Sequence, residues 1–349
     1  MSDDISEDDP SGLQDSRKIE PVDARHVADL IQMIKESADK LAGDQTSRGD
    51  LKLLSRTLRE LRYAFKVFSP YRRQRKVTVF GSARTLPDAP SYQQAVAFGR
   101  AMAAHEWLVV TGAASGIMEA GHVGAGRDNS MGLNIMLPFE QSSNPVISGD
   151  PKLVHMKYFF TRKLMFVKEC DAVCLFQGGF GTLDEGLEVL TLLQTGKRDL
   201  VPVVFLDEAG GGFWQDFQQF VVKRLLGNGL ISEEDLSLYR LTDNLEEAVA
   251  EILQFYRNYH SMRYVKNKLA LRLQNMPGPE LLEQINTEFT DILSEGQFEA
   301  GGPLSSERDE PDLAHLSRLS FRFNRRNLGR LRQMIDLLNR AAPSPAAPE

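Results

Sequence analysis

Apolar residues recur at two different spacings along this chain, and the change of spacing divides it. Val27, Leu30, Ile31, Ile34, Ala38 and Leu41 fall at helical intervals, as do Leu51, Leu54, Leu58, Leu61, Phe65 and Phe68. Steps of three and four residues put such side chains on one helix face, so two helices are expected before the first strand. The second stripe suits either a dimerising seam or a helix lying on its own domain, since it is short for a coiled coil. From Lys76 onward the pattern changes to short apolar runs. Val77–Phe80, Leu108–Thr111, Leu133–Leu137 (stopped by Pro138), Ala172–Phe176 and Val201–Leu206 read as buried strands. Helices are expected from about Ser91 to Ala104, from near Gly116, across Arg162 to Lys168, over Gly186 to Thr195, and over Phe213 to Leu226 and Leu245 to Tyr259. Strands alternating with helices imply a parallel sheet covered on both faces, a Rossmann-like α/β fold.

The tail follows a third pattern. Leu269–Leu273, Gln297–Ala300 and Leu316–Phe323 read as strands, and Pro279–Leu293 and Asn327–Asn339 as helices. That order suggests a small ferredoxin-like α+β unit. The expected organisation is a disordered acidic tail (1–21), an N-terminal helical extension (22–74), the α/β domain (75–260), the α+β unit (261–340) and a disordered end (341–349). Arg318, Arg322, Arg325, Arg326, Arg330 and Arg332 give the tail a basic cluster, read as a solvated face or an intersubunit salt-bridge surface.

Composition narrows the classes. The chain has 349 residues, 42% hydrophobic and 26% charged, as in ordinary globular proteins. No apolar run approaches the roughly 18 residues of a membrane span, and the first residues lack a signal-peptide core, so no membrane role and a cytoplasmic location are expected. A net charge of −7 argues against nucleic acid as the main partner. The two cysteines, Cys170 and Cys174, read as core thiols. The six histidines show no paired metal-ligand spacing, so no metal site is expected.

Candidate chemistry concentrates where strands end in glycine. Ala172–Phe176 runs into Gln177-Gly178-Gly179-Phe180-Gly181-Thr182-Leu183-Asp184-Glu185 and then a helix. Free amides and the positive end of the helix dipole make such a turn a seat for a phosphate. Glu185 lies one turn further on, within reach of a sugar beside that phosphate. Thr182-x-x-Glu185 also reads as a capping box, which needs no ligand; the two readings stand side by side on the local pattern. Upstream, Arg162 and Lys163 lie near a helix start, where a cation opposes the dipole; a surface Arg-Lys pair is the plain alternative. The Gly81-Ser82 and Gly112 to Gly116 turns end two further strands at the same sheet edge. Neither Gly112 to Gly116 nor Gly179-Phe180-Gly181 has the dinucleotide-binding spacing, and no P-loop motif or G-x-S-x-G is present.

Taken together, Arg162-Lys163 and Gly178-Gly179-Phe180-Gly181-Thr182-Leu183-Asp184-Glu185 resemble the LOG (Lonely Guy) phosphoribohydrolases, long labelled lysine decarboxylases, whose signature is an Arg-Lys helix followed by P-G-G-x-G-T-x-x-E. Val79–Arg84, Thr111-Gly112 with Gly116–Ala120, and Gly132–Ile135 with Leu137–Gln141 add to the likeness, which covers roughly residues 75–260. The resemblance implies hydrolysis of a nucleoside 5′-monophosphate, AMP-like or a cytokinin ribotide, to free base and ribose 5-phosphate, without a cofactor. It implies Arg162 and Glu185 as catalytic and Gly178, Gly179, Gly181 and Thr182 as the phosphate seat. Gly81, Ser82, Gly112, Ser115 and Lys163 are expected around the rest of the substrate. A homodimer or higher homo-oligomer is implied as well. Two departures stand out: Gln177 replaces the family proline, and Ala113-Ala114 add methyl groups where the family is glycine-rich. A non-catalytic nucleotide sensor or carrier is the alternative those departures leave open.

Overall fold

The computed structural model describes residues 24–136, 143–305, 307 and 310–343. The 1–21 tail, the 344–349 end and the segment Leu137–Gln141 therefore lie outside the described residues, although each carried an expectation. Two helices, α1 (Ala24–Lys40) and α2 (Arg48–Phe68), open the chain. The α/β part follows as β1 (Lys76–Phe80), α3 (Pro90–Ala104), β2 (Leu108–Thr111), α4 (Ile117–Ala125), β3 (Ser130–Ile135), β4 (Leu153–Met156), α5 (Phe159–Glu169), β5 (Ala172–Phe176), α6 (Phe180–Gln194), β6 (Val203–Leu206), α7 (Phe213–Phe220), β7 (Arg240–Thr242) and α8 (Leu245–Phe255). The tail holds β8 (Tyr259–Val265), β9 (Lys268–Leu273), α9 (Pro279–Glu288), β10 (Leu293–Gly301), β11 (Ser317–Phe323) and α10 (Leu328–Arg340).

The Rossmann-like sheet has seven parallel strands in the order β4-β3-β2-β1-β5-β6-β7. Successive strand residues face opposite layers. Val109, Cys174 and Val204 enter the core under α3 and α8, whereas Val110, Val173 and Phe205 enter the core shared with α2, α5 and α6. Burial on both faces explains why these strands read as continuous apolar runs. The sequence pattern missed β4 and β7, the two edge strands. They have four and three residues, and each shows a solvent-facing position, so neither forms an apolar run.

The second sheet is antiparallel, in the order β10-β11-β9-β8. The expected α+β unit is present with one more strand than the pattern offered. The stretch expected to finish a helix at Tyr259 instead leaves α8 at Phe255 and starts β8 there. The cause is tertiary: Asn339 on α10 accepts from the Asn258 and Tyr259 amides at 3.0 and 2.9 Å, taking those donors away from any helix. The arginine cluster also differs from expectation. Arg318 and Arg332 are buried, and Arg318, Arg322, Arg330 and Arg332 pair within the chain, with Glu307, Glu295, Asp291 and Glu251 respectively. A buried guanidinium needs such a partner, because an unpaired charge is costly to desolvate. The helical stripe of α2 divides: Phe68 enters the core and Leu61 packs against it, while Leu51, Leu54, Leu58 and Phe65 stay exposed.

Candidate active site

The strand order reverses between β1 and β5, and ligands of open α/β sheets bind beyond strand ends at such a point. There the loops after β1 and β5 are tied together, Ser82 N donating to Gln177 O at 3.1 Å. They form one side of a cleft of about 790 Å³. The loop after β2 and the helix α5 form the other side.

Helix α6 supplies the floor. It starts at Phe180 with Gly179 as its N-cap, and no side chain caps it. The first amides of a helix have no intrahelical acceptor, so this end is left to an anion. Thr182 is therefore the third helical residue and Glu185 the sixth, so the two do not form a capping box. Glu185 is 5% exposed and lines the cleft one turn above the helix start. Burial raises its pKa above the ordinary carboxylate value, while Lys163 and Arg162 pull the other way.

Gly178 is needed for space. A Cβ there would lie 2.2 Å from Thr182 Oγ1 and 3.0 Å from Ser82 N. Gly116 is needed for conformation and for space, with φ of +66° and a would-be Cβ 2.3 Å from Ser82 O. That contact lets Ile117 N donate to Ser82 O at 3.0 Å, and Ser115 Oγ donates to Ala83 O at 2.9 Å. The β1 loop is thereby strapped to the start of α4.

Arg162 faces the cleft from the first turn of α5, its guanidinium 5.1 and 5.6 Å from the Phe159 and Phe166 rings. Its Nε is buried and has no hydrogen-bond partner among the described residues. Burial lowers its pKa, and the nearby Glu185 charge partly offsets this. Lys163 points elsewhere. It binds Asp184 at 2.9 Å, Glu188 at 2.5 Å and Glu185 at 3.5 Å, clamping α5 to α6. The surface-pair reading of Arg162-Lys163 thus fits neither residue.

Of the residues singled out in the sequence, Arg162, Glu185, Gly178, Gly179, Gly181, Thr182, Gly81, Ser82 and Gly112 all line the cleft, whereas Ser115 and Lys163 do not. Gln177 is not in the wall either; its carbonyl does the tying described above. Ala113 takes the left-handed region at φ of 58° and buries its methyl with Ile147 and Leu153, so Ala114 alone of that pair faces the cleft. Sequence reasoning missed Arg84, Asn134, Phe159, Phe180 and Phe213, which also line it. Asn134 gave a signal, being a polar residue set between Leu133 and Ile135 in β3; it donates to Gly112 O at 3.4 Å. Phe180 occupies the variable position between two motif glycines and is 93% exposed, a ring at the mouth of the cleft.

His122 is buried and hydrogen-bonded to Met131 O at 3.0 Å, with burial lowering its pKa to about 4, which makes it a neutral core residue. Among the described residues, no three His, Cys, Asp or Glu side chains gather in a way that would hold a metal ion. Nor is any described helix long and apolar enough to cross a membrane.

Residues 111–252 match the family model described as "Possible lysine decarboxylase". No protein of curated function matches the chain. Among solved structures, the structural-genomics protein TM1055 is similar at 25% identity over 52% of this chain and 99% of its own, with a TM-score of 0.38. The molybdenum cofactor carrier protein of Chlamydomonas reinhardtii shares 19% identity over 52% of this chain and 98% of its own (TM-score 0.37). DNA processing protein A of Helicobacter pylori shares 16% over 52% of this chain and 80% of its own (TM-score 0.36).

Proposed function

We propose that this chain, whose residues 111–252 match the family model described as possible lysine decarboxylase (the LOG family), hydrolyses the N-glycosidic bond of nucleoside 5′-monophosphates. The observation that carries the reading is one cleft in which an uncapped helix start, a buried carboxylate and a largely buried guanidinium meet.

In this reading the 5′-phosphate sits on the amides of Gly179, Phe180 and Gly181 at the start of α6, with Arg84 as a second cation. The ribose then lies over the first turn of α6, next to Glu185. Water attacks C1′ as the C1′–N bond breaks, and its electron pair leaves with the base, which takes up a proton. Products are the free base and ribose 5-phosphate. Positive charge gathers on the sugar in the transition state, and a buried carboxylate stabilises it strongly because little water screens the interaction. As the anion, Glu185 also accepts a proton from the attacking water. Arg162 donates hydrogen bonds to the substrate, filling the need of its own unpaired Nε. The exposed rings of Phe159, Phe180 and Phe213 offer faces on which a purine can stack.

The 75–260 region is then the catalytic domain, with 22–74 and 261–340 as additions to it, and the active chain is a cytoplasmic homodimer or larger homo-oligomer acting on AMP or an AMP-like nucleotide. The test is release of ribose 5-phosphate from AMP, GMP, CMP, UMP and a cytokinin ribotide. Glu185→Gln should lower kcat about a hundred- to thousand-fold. An unchanged rate in that variant refutes the chemistry. Binding without release from any nucleotide would make the chain a sensor or carrier instead.

A further inference from the structure

A second concavity lies on the outside of the molecule, behind the helix that carries Arg162. It has a volume of about 480 Å³ and is lined by Arg48, Leu51, Lys52, Ser55, Arg56, Arg59, Lys157 and Tyr158. Five of these eight residues are cations. Arg48, Lys52, Arg56 and Arg59 follow one another at three- and four-residue steps, so α2 presents them as a single stripe. The stripe begins at the first turn of α2, which Ser47 caps by accepting from Asp50 N at 3.1 Å. Among the described residues Arg56 alone of the five forms an ion pair, with Glu60 at 2.9 Å. In a chain of net charge −7, such concentration of unpaired positive charge in one hollow is not a solvated average.

Glu60 connects this hollow to the cleft. It is buried, and besides Arg56 it accepts from Lys157 N at 3.0 Å and from Thr161 Oγ1 at 2.9 Å. Burial alone would raise its pKa, but those donors outweigh burial and hold the pKa low. One carboxylate thus joins the cationic stripe to the two residues that bracket the start of α5. Arg162 follows Thr161 directly.

We propose that this hollow is a regulatory site for a small phosphate-rich anion of the oligophosphate class, coupled to the cleft through Glu60. An anion seated among the five cations competes with Glu60 for Arg56 and contacts Lys157, changing the hold on the first turn of α5 and so the position of Arg162. The occupant is a small molecule rather than a nucleic acid for two reasons. The five cations line one hollow of about 480 Å³, and the ring of Tyr158 is already stacked on Phe160 (5.2 Å, 14°) with Lys157 Nζ 5.9 Å from its centroid. The binding stands without the nucleotide reading above; the coupling rests on it.

Inorganic triphosphate is the probe, titrated calorimetrically into the full-length chain carrying Glu185→Gln, with and without saturating AMP. Expected are one site per chain, affinity that falls between about 50 and about 200 mM salt, and an AMP-induced change in triphosphate affinity of about fivefold, matched by the reciprocal change for AMP. Lys52→Glu combined with Arg59→Glu, both on the exposed side of α2, should weaken triphosphate at least about tenfold and leave AMP affinity alone. Glu60→Gln, or Thr161→Val should the first variant fold poorly, should keep triphosphate binding and abolish the mutual effect. No binding at about 1 mM triphosphate, full displacement by AMP, or indifference to the charge reversal would each overturn the site. A single-stranded oligonucleotide that binds far more tightly than triphosphate, with the same sensitivity to charge reversal, would overturn the ligand class. Failure of AMP to bind would sink the nucleotide reading and the coupling with it, while leaving the anion site standing or falling on the other arms.

Discussion

The turn after β5 allows a sharp test, because its glycines differ in what surrounds them. A Cβ at position 178 would lie 2.2 Å from Thr182 Oγ1, 2.7 Å from Thr182 Cβ and 3.0 Å from Ser82 N, whereas a Cβ at 179 would meet no heavy atom within 4 Å. Thr182 is buried, so it cannot swing into solvent to make room. Gly178→Ala must therefore push the start of α6 away from the β1 loop. Forced overpacking of this kind costs about 1–3 kcal/mol, or about 1–4 °C in Tm for a chain of this size. The same push displaces the helix start relative to Glu185 and Arg162, and a shift on the order of 1 Å costs about a hundredfold in catalysis. Gly179→Ala, with open space around it, should leave Tm within about 1 °C. Thermal melts of the two variants, paired with ribose 5-phosphate release from AMP, give the comparison. Equal melting temperatures together with an unchanged kcat/KM in Gly178→Ala would refute the steric account of this turn.

Two further predictions follow from charge. Lys163 lowers the pKa of Glu185 against the effect of burial, so Lys163→Met should move the acid limb of the kcat/KM profile to higher pH, as measured with AMP; a limb that stays in place would mean that Glu185 is not the group it reports. In the second sheet, Glu307 accepts from Arg318 at 2.9 Å and from Arg272 at 2.8 Å, with all three buried, so Glu307→Gln should cost about 3–5 kcal/mol in urea unfolding. Burial opposes the charge of Glu307, but its arginines outweigh burial and set its folded pKa below the unfolded value, so its contribution is present above about pH 4.5 and lost as pH falls through the folded pKa. The Gln variant should lack that part of the acid sensitivity.

The α/β layers were legible because a strand buried on both faces is largely apolar, and Val77–Phe80 (with Thr78 as its one hydroxyl) and Ala172–Phe176 meet that condition without help from distant residues. What stayed hidden depends on partners remote in sequence. The end of α8 is set by Asn339, some eighty positions away, and no window around Phe255 contains that information. Arg318 and Arg332 looked like surface charge for the same reason: their acids sit on a loop and on another helix. The edge strands β4 and β7 escaped because length and burial both fall at a sheet edge, which removes the apolar run itself.

At the cleft, local pattern left two readings of Glu185 open, and the choice between them turned on where α6 begins. A box needs Thr182 outside the helix as its cap; the chain enters the helix earlier, at Gly179, because Gly178 lets the strand end pass close under Thr182. Once Thr182 is the third helical residue, Glu185 has no cap to reach and is left buried against Arg162 and Lys163. The alanines after β2 are settled by backbone rather than by size. With φ of 58°, Ala113 turns its methyl into a small core with Ile147 and Leu153, at a cost that a glycine would not carry. Only the Ala114 methyl is left to narrow the approach, and it stands on the wall shared with Arg162 and Asn134. A departure that looked like two obstructions amounts to one, and in the reading proposed above it bears on which base fits rather than on whether the phosphate and the carboxylate meet.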